Sequence, residues 1–234
     1  WEPLAVRSLG SYSTTQNLYK NKYGNKIIFE EINHDLELIF RYQWSSSNTF
    51  GFIKKSKLIN TSDSAVKISL LDGIQNIMPA SIGSDEQNQS SNLVDAYKRN
   101  ELEEKTGLGI FALSAILVDK AEASEALKAN VVWSLGLDNP KHLLSSLQLN
   151  NFRLGKPIKQ EVDVKAEKGA YFLNSEIILE KESSKEWMII ANVNQNHSSI
   201  AKLSKQIKEE SSLVHIVNDD INIGTKRLVE LNSA

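Results

Sequence analysis

The residues that could do acid–base or metal chemistry are scattered along this chain at no recognised spacing. The four histidines are His34, His142, His197 and His215. No two of them stand in an HxH or HExxH pattern, which would place metal ligands on one strand or one helix. His34 falls in a predicted turn and His197 at the start of a predicted helix, so we expect structural or surface roles. The chain also lacks cysteine, which rules out disulfides, thiolate metal sites and a cysteine nucleophile. We expect no metal site and no cofactor.

Asp72 is the carboxylate whose sequence setting is most suggestive, because it stands in the run Leu70-Leu71-Asp72-Gly73. It could act as a catalytic acid. An aspartate followed by glycine at the end of a strand is also typical of a turn, in which the carboxylate accepts hydrogen bonds from nearby backbone N–H groups. We favour the turn.

Other acidic residues form two small groups. Asp95 stands near Tyr97 and Lys98, which predicts a buried Asp–Lys or Asp–Tyr contact. Asp119 and Glu122 are typical of a hairpin turn. A glycosidase needs two carboxylates on opposite sides of one sugar, and nothing in the spacing brings a pair to one cleft. The sequence therefore predicts no catalytic residue.

Three tryptophans, Trp44, Trp133 and Trp187, could stack on the apolar faces of sugar rings. Each lies in a strong strand pattern, however, and this favours a place in the core. The glycines form neither a phosphate-binding loop nor the G-x-S-x-G turn of a serine nucleophile.

Composition narrows the class of protein further. The 234 residues are 41% apolar and 24% charged, which are ordinary values for one large globular domain or two small ones. The net charge of −2 provides no basic surface for nucleic acid. No apolar run is long enough to span a membrane, and the compartment is left open between bacterial cytoplasm and periplasm. The chain begins at Trp1, and Met78 and Met188 are its only methionines. Either a leader was removed or, as we favour, this is a piece of a longer protein.

Apolar runs about 10 to 14 residues apart predict an antiparallel sandwich, with about nine strands before Asn194. In residues 36–44, Leu36, Leu38, Phe40 and Tyr42 fall on one face, and a short connection at 33–35 precedes them, which predicts a hairpin. Residues 170–180 and 186–193 predict a second hairpin. Residues 80–92 are expected to form a loop, and residues 94–105 fit either a helix or a solvated strand.

The pattern changes to a helical period after Asn194. Residues 198–210 predict a helix capped by Ser198 or Ser199. Residues 213–232 predict a second one, with Ile221, Leu228 and Leu231 on one face and weakened by Gly224.

Several segments together resemble a known family. The chain is similar to the N-terminal β-sandwich domain of large carbohydrate-active proteins related to cellobiose phosphorylase and cyclic β-glucan synthase. The matching segments are YQWSSS (42–47), FGF (50–52), LLDGIQNIMP (70–79), SNLVDAYK (91–98), EASEAL (122–127) and VWS (132–134).

This resemblance implies a mainly β fold, an antiparallel galactose-mutarotase-like supersandwich at 1–193, followed by linker helices at 194–234. It implies a catalytic (α/α)6 barrel beyond this chain, so that no catalytic residue transfers here. The expected role is non-catalytic, supporting the barrel and bordering its sugar cleft in a glycoside hydrolase or phosphorylase, with homodimerisation also open.

The implied partner is an oligosaccharide or glucan, and the candidate contacts are Trp44, Asp72, Asp95, Tyr97 and Trp133. Two alternatives stand beside this reading. One is a mutarotase-like or epimerase-like enzyme, which needs a general acid and a general base on one face. The other is a glycan-binding module.

Overall fold

The computed structural model describes residues 1–115 and 127–232. Within them the chain forms twelve strands, five α-helices and a short 3-10 helix at Val6–Ser8. The first six strands are β1 (Thr14–Lys20), β2 (Lys26–Asn33), β3 (Leu38–Ser47), β4 (Gly51–Asn60), β5 (Val66–Ile77) and β6 (Lys98–Glu103). The others are β7 (Leu108–Leu113), β8 (Lys128–Leu135), β9 (Lys141–Leu143), β10 (Asp163–Lys165), β11 (Gly169–Leu179) and β12 (Ser184–Asn196). The helices are α1 (Ser84–Gln89), α2 (Ser91–Tyr97), α3 (Leu149–Arg153), α4 (His197–Glu209) and α5 (Leu213–Asn232).

The strands form two sheets that pack face to face. The larger has nine strands in the order β1-β2-β3-β4-β12-β8-β7-β6-β10, and the smaller has three in the order β5-β11-β9. The pairings within both sheets are antiparallel. The prediction of a mainly β, antiparallel sandwich is therefore confirmed.

The large sheet is buried on both faces, and β12 shows why its sequence is so apolar. Trp187 and Ile189 point into the core between the two sheets. Met188 and Ile190 point the other way, into a second core shared with the C-terminal helices. A strand that is covered on both faces has apolar residues at successive positions of its sequence.

Helices α4 and α5 cover the second face of the large sheet. Leu213, Val217 and Ile221 lie four residues apart on α5 and are buried in that core. The side chain of Asn196 caps α4 by accepting a hydrogen bond from the Ser199 N–H, so the predicted serine caps are wrong.

Helix α5 also differs from its predicted apolar face. It runs through Gly224 without a break, and its Leu231 is 77% exposed. None of the helices in the described ranges is long and apolar enough to cross a membrane.

Four further sequence predictions need correction. The predicted late hairpin is wrong, because β11 belongs to the small sheet and β12 to the large one. The strand count is higher than predicted, since edge strands such as β1 and β10 carry little apolar signal. The predicted loop at 80–92 contains α1, and residues 94–105 are split between the end of α2 and β6. The predicted hairpin turn at Asp119 and Glu122 lies outside the described residues.

Candidate functional site

A cleft of about 660 Å³ opens beside the small sheet. It arises because β5 is the free edge of a three-stranded sheet that lies over a nine-stranded one, so the inner face of β3 is left partly uncovered. Its volume is within the range of small-molecule sites, roughly 300–1,000 Å³. The lining side chains of the large sheet are Leu38, Phe40, Tyr42, Trp44, Lys54 and Leu58, those of the small sheet come from residues 68–77 and Phe172, and Trp1, Glu2, Pro3 and Phe152 complete it.

A buried ion pair forms the floor of this cleft. Lys54 on β4 contacts Asp72 on β5, and their side chains are 8% and 10% exposed. The other carboxylate oxygen of Asp72 accepts hydrogen bonds from Ser56 Oγ at 2.9 Å and Trp187 Nε1 at 2.7 Å. Lys54 Nζ also donates to the Gly73 carbonyl at 3.2 Å. Because the charges neutralise each other and both carboxylate oxygens are occupied, Asp72 is an acceptor held in place rather than a free acid.

Tyr42 is fixed beside this pair. The Tyr42 ring stacks on that of Phe29, with centroids 5.0 Å apart. Lys54 Nζ lies 5.1 Å from the centroid of the Tyr42 ring. Burial, with a smaller contribution from the Asp72 charge, raises the pKa of the Tyr42 hydroxyl. Tyr42 therefore stays neutral and serves as a wall of the cleft.

Trp44 differs from the other tryptophans in what it contacts. Trp1 Nε1 donates to Glu31 at 2.5 Å, and Trp187 Nε1 donates to Asp72. Trp133 is fully buried. Trp44 is half-buried and lines the cleft, and within residues 1–115 and 127–232 its ring stacks on no other aromatic ring and its Nε1 has no acceptor. Its indole is thus available to a ligand.

The N-terminal residues close one side of the cleft. Glu31 is 3% exposed, and its carboxylate accepts hydrogen bonds from Trp1 Nε1, from the Leu4 backbone N–H at 2.8 Å and from Gln16 Nε2 at 2.8 Å. Next to it, Glu2 pairs with Arg153 at 3.0 Å. A second cavity of about 570 Å³ shares Trp1, Glu2 and Phe172 with the first.

Two of the five predicted sugar contacts, Trp44 and Asp72, line the same cleft. Asp72 lies in the middle of β5 and binds side chains, so the predicted turn with backbone hydrogen bonds is wrong. Asp72 faces inward, because it lies on the same side of β5 as the alternating apolar residues that pack against the core.

The remaining three candidates lie elsewhere. Asp95 is on α2, where it forms the predicted ion pair with Lys98 at 2.7 Å, and it borders a separate cavity of about 340 Å³. Tyr97 ends the same helix. Trp133 is 0% exposed in the core beneath α5, where it presents no ring face to a sugar.

Lys54 is the residue of this site that sequence reasoning missed. A signal was present, since alternation along β4 places Lys54 on the same face as Ser56 and Leu58. A lysine on a core-facing position requires a buried partner, and Asp72 supplies it.

No cluster of three or more metal-ligating side chains occurs in the described part of the chain. None of the four histidines lines the cleft. His142 is buried against Tyr171, with ring centroids 5.5 Å apart, and this burial lowers the pKa of its imidazole.

No family model matches the sequence, and no curated protein matches it. Solved structures do. One is a bacterial glucoamylase complexed with acarbose, with a TM-score of 0.50 and 11% identity over 89% of this chain and 27% of that one. Another is a putative kojibiose phosphorylase from the human microbiome, with a TM-score of 0.44 and 9% identity over 92% of this chain and 25% of that one.

The likeness to the glucoamylase defines a class of fold, an antiparallel β-sandwich that also occurs within that chain. This chain spans about a quarter of the solved structures it matches, 27% of the glucoamylase chain.

Proposed function

We propose that this chain is the N-terminal supersandwich of a larger carbohydrate-active enzyme, a glycoside hydrolase or phosphorylase. Residues 1–193 form the sandwich, and residues 194–234 begin a helical linker that leads to an (α/α)6 catalytic barrel outside this chain. The resemblance of the motifs at 42–52 and 70–79 supports this proposal, as does the fold that it shares with 27% of a glucoamylase chain. The sandwich supports the barrel and borders its sugar cleft, and homodimerisation remains part of the proposal.

The observation that carries the non-catalytic role is the state of the cleft carboxylates. In the described lining these are Glu2 and Asp72. Asp72 is paired with buried Lys54, and Glu2 is paired with Arg153 and Arg7. Glycoside cleavage needs one carboxyl group to give a proton while a second attacks or activates water. Two carboxylates that are each held by a cation do not provide that division of labour.

The test compares this chain with the longer gene product that carries it. Both are assayed on α- and β-linked glucosides, with and without inorganic phosphate. We expect turnover from the longer protein and none above background from the 234-residue chain. Full turnover by the chain alone would refute the non-catalytic assignment.

A second candidate function, a glycan-binding module, is favoured by the free indole of Trp44 in a cleft of ligand size. Flat aromatic rings with a polar edge suit ligands that have both apolar and polar faces. This function requires binding without turnover, and it is compatible with a domain that borders a catalytic cleft.

A further inference from the structure

Phe52 lies next to the cleft, on the same face of the large sheet as Trp44 but outside the residues that line the cleft. In the register of β3 and β4, Trp44 lies opposite Lys54 and Ser46 lies opposite Phe52. Residues directly opposite share a face, and so do residues two apart on a strand. Trp44 and Phe52 are therefore diagonal neighbours on the inner face, about 7–8 Å apart at the backbone.

Phe52 is 56% exposed, and the residue opposite it on β3, Ser46, is exposed as well. Next to it on the same strand, Lys54 is 7% exposed. The described aromatic contacts give the Phe52 ring no stacking partner. An exposed phenylalanine beside an unpaired, half-buried indole provides two adjacent rings for a ligand longer than one ring.

The charge in the cleft indicates the class of ligand. Lys54 is the cation of the lining, and Asp72 neutralises it. An anionic ligand would have to compete with a buried carboxylate for this lysine, at the cost of leaving Asp72 unpaired. A neutral polyhydroxyl ligand requires no such exchange.

Hydrogen-bonding groups remain for such a ligand. An ammonium group has three N–H donors, and those of Lys54 reach Asp72 and the Gly73 carbonyl. No third acceptor for Nζ lies within hydrogen-bond distance among the residues that the structure describes. The indole N–H of Trp44 and the exposed side chain of Asn76 add further polar groups at the same cleft.

We propose that this cleft and the surface beside it bind neutral oligosaccharides, with one sugar stacked on Trp44 in the cleft and the next on Phe52 just outside it. The inference rests on the proposed function, and it adds a ligand class, a minimum length of two sugars and a contact residue. In this arrangement Asp72 does not touch the sugar but holds Lys54, and it is a positioning residue.

Calorimetric titration of the 234-residue chain tests this inference. The probes are glucose, maltotriose and cellotriose, with trigalacturonic acid as the acidic counterpart. We expect a neutral trisaccharide to bind more tightly than glucose and more tightly than the acidic trisaccharide. Tighter binding of trigalacturonic acid, or no binding of any of these sugars, would overturn the inference.

Two variants separate the two rings. Phe52→Ala should weaken trisaccharide binding by about three- to tenfold and leave glucose binding unchanged, whereas Trp44→Ala should weaken both. Ile178→Ala is the matched control, because Ile178 is 67% exposed on β11 in the other sheet. Circular dichroism confirms that each variant is folded. A Phe52→Ala variant that binds trisaccharide as the wild type does would overturn the second contact.

The turnover assays judge the proposed function separately. A chain that is inactive but binds no sugar leaves the supporting role intact and refutes only the cleft inference. A chain that turns over glucosides refutes the supporting role whatever the titration shows.

Discussion

Lys54 and Asp72 meet between the two sheets, where their side chains are only 8% and 10% exposed. Such pairs contribute little net stability, because the attraction must offset the loss of water around both ions. Removing one partner is far worse than removing both, since it leaves an uncompensated charge in the interior. The pair therefore fixes how β4 faces β5, and with it the shape of the cleft.

Replacing Asp72 by asparagine tests whether removing one charge of the pair costs more than removing both. Asp72→Asn keeps an acceptor for Ser56 and Trp187 but leaves the Lys54 ammonium unpaired. We expect the free energy of unfolding to fall by roughly 3–5 kcal/mol, measured by urea denaturation. The double variant Lys54→Met/Asp72→Asn should recover most of that loss, and equal destabilisation by the single and double variants would contradict the buried-charge account.

At the scale of elements, Asp220 fastens helix α5 to the turn between β3 and β4. Its carboxylate accepts hydrogen bonds from Ser47 Oγ, from the Thr49 N–H at 3.2 Å and from Thr49 Oγ1 at 3.2 Å. Burial by itself would raise the pKa of Asp220, but the hydrogen bonds from Ser47 and Thr49 outweigh it and lower the pKa. The ionised form is thus favoured in the folded chain.

This lowered pKa predicts how the contribution of Asp220 depends on pH. A carboxylate whose pKa is lower when folded stabilises the chain fully above its unfolded pKa of about 3.9, and the contribution is lost as the pH falls through the folded pKa. Asp220→Asn should therefore cost about 1–2 kcal/mol at pH 7, and the difference from wild type should shrink below about pH 4. Urea unfolding at pH 7 and pH 3 measures it, with exposed Asp138→Asn as the control. An unchanged difference at pH 3 would show that charge is not involved.

Asn60 joins two of the places where the chain passes from one sheet to the other. Its Nδ2 donates to the carbonyls of Ser64 at 2.7 Å, Leu179 at 3.3 Å and Glu180 at 3.1 Å. The first lies between β4 and β5, and the others lie at the end of β11, just before β12. A buried amide thus connects two crossings that are far apart in sequence.

Truncating this amide should destabilise the sandwich. Asn60→Ala leaves carbonyls unpaired at a site that is 1% exposed, and we expect a loss of roughly 2–3 kcal/mol. Thermal unfolding followed by circular dichroism provides the measurement. Asn232→Ala removes an amide that binds only its own helix at an exposed site, so it should have little effect. Similar losses from both substitutions would contradict the role assigned to Asn60.

At the scale of the whole molecule, the sequence predicted individual strands better than it predicted which strands pair with each other. Alternation of apolar residues marked β3, because Leu38, Phe40 and Tyr42 all lie on its inner face. The same signal failed for β11 and β12, since alternation tells which residues face inward but not which sheet a strand joins. Sheet membership depends on pairings between strands far apart along the chain, such as β11 with β5 and β12 with β4.

In the candidate site too, local patterns indicated single residues but not which of them come together. Trp44 and Asp72 could be chosen from residue type and strand position, and they do line one cleft. Lys54 and Phe52 could not be joined to them without knowing that β3 and β4 pair in this register. Trp133 was chosen by the same criteria and does not line the cleft, because it lies on the other face of the large sheet and is buried in the core beneath α5.

The most direct test of this account is the nuclear magnetic resonance spectrum of the indole N–H groups during a titration with maltotriose or cellotriose. The chain has four tryptophans, and Trp44→Phe identifies the signal of Trp44 by its loss. We expect a saturable shift of the Trp44 signal, while the signals of buried Trp133 and Trp187 stay in place. A Trp44 signal that does not move at saturating trisaccharide, in a chain that is folded, would contradict a sugar-binding cleft between these sheets.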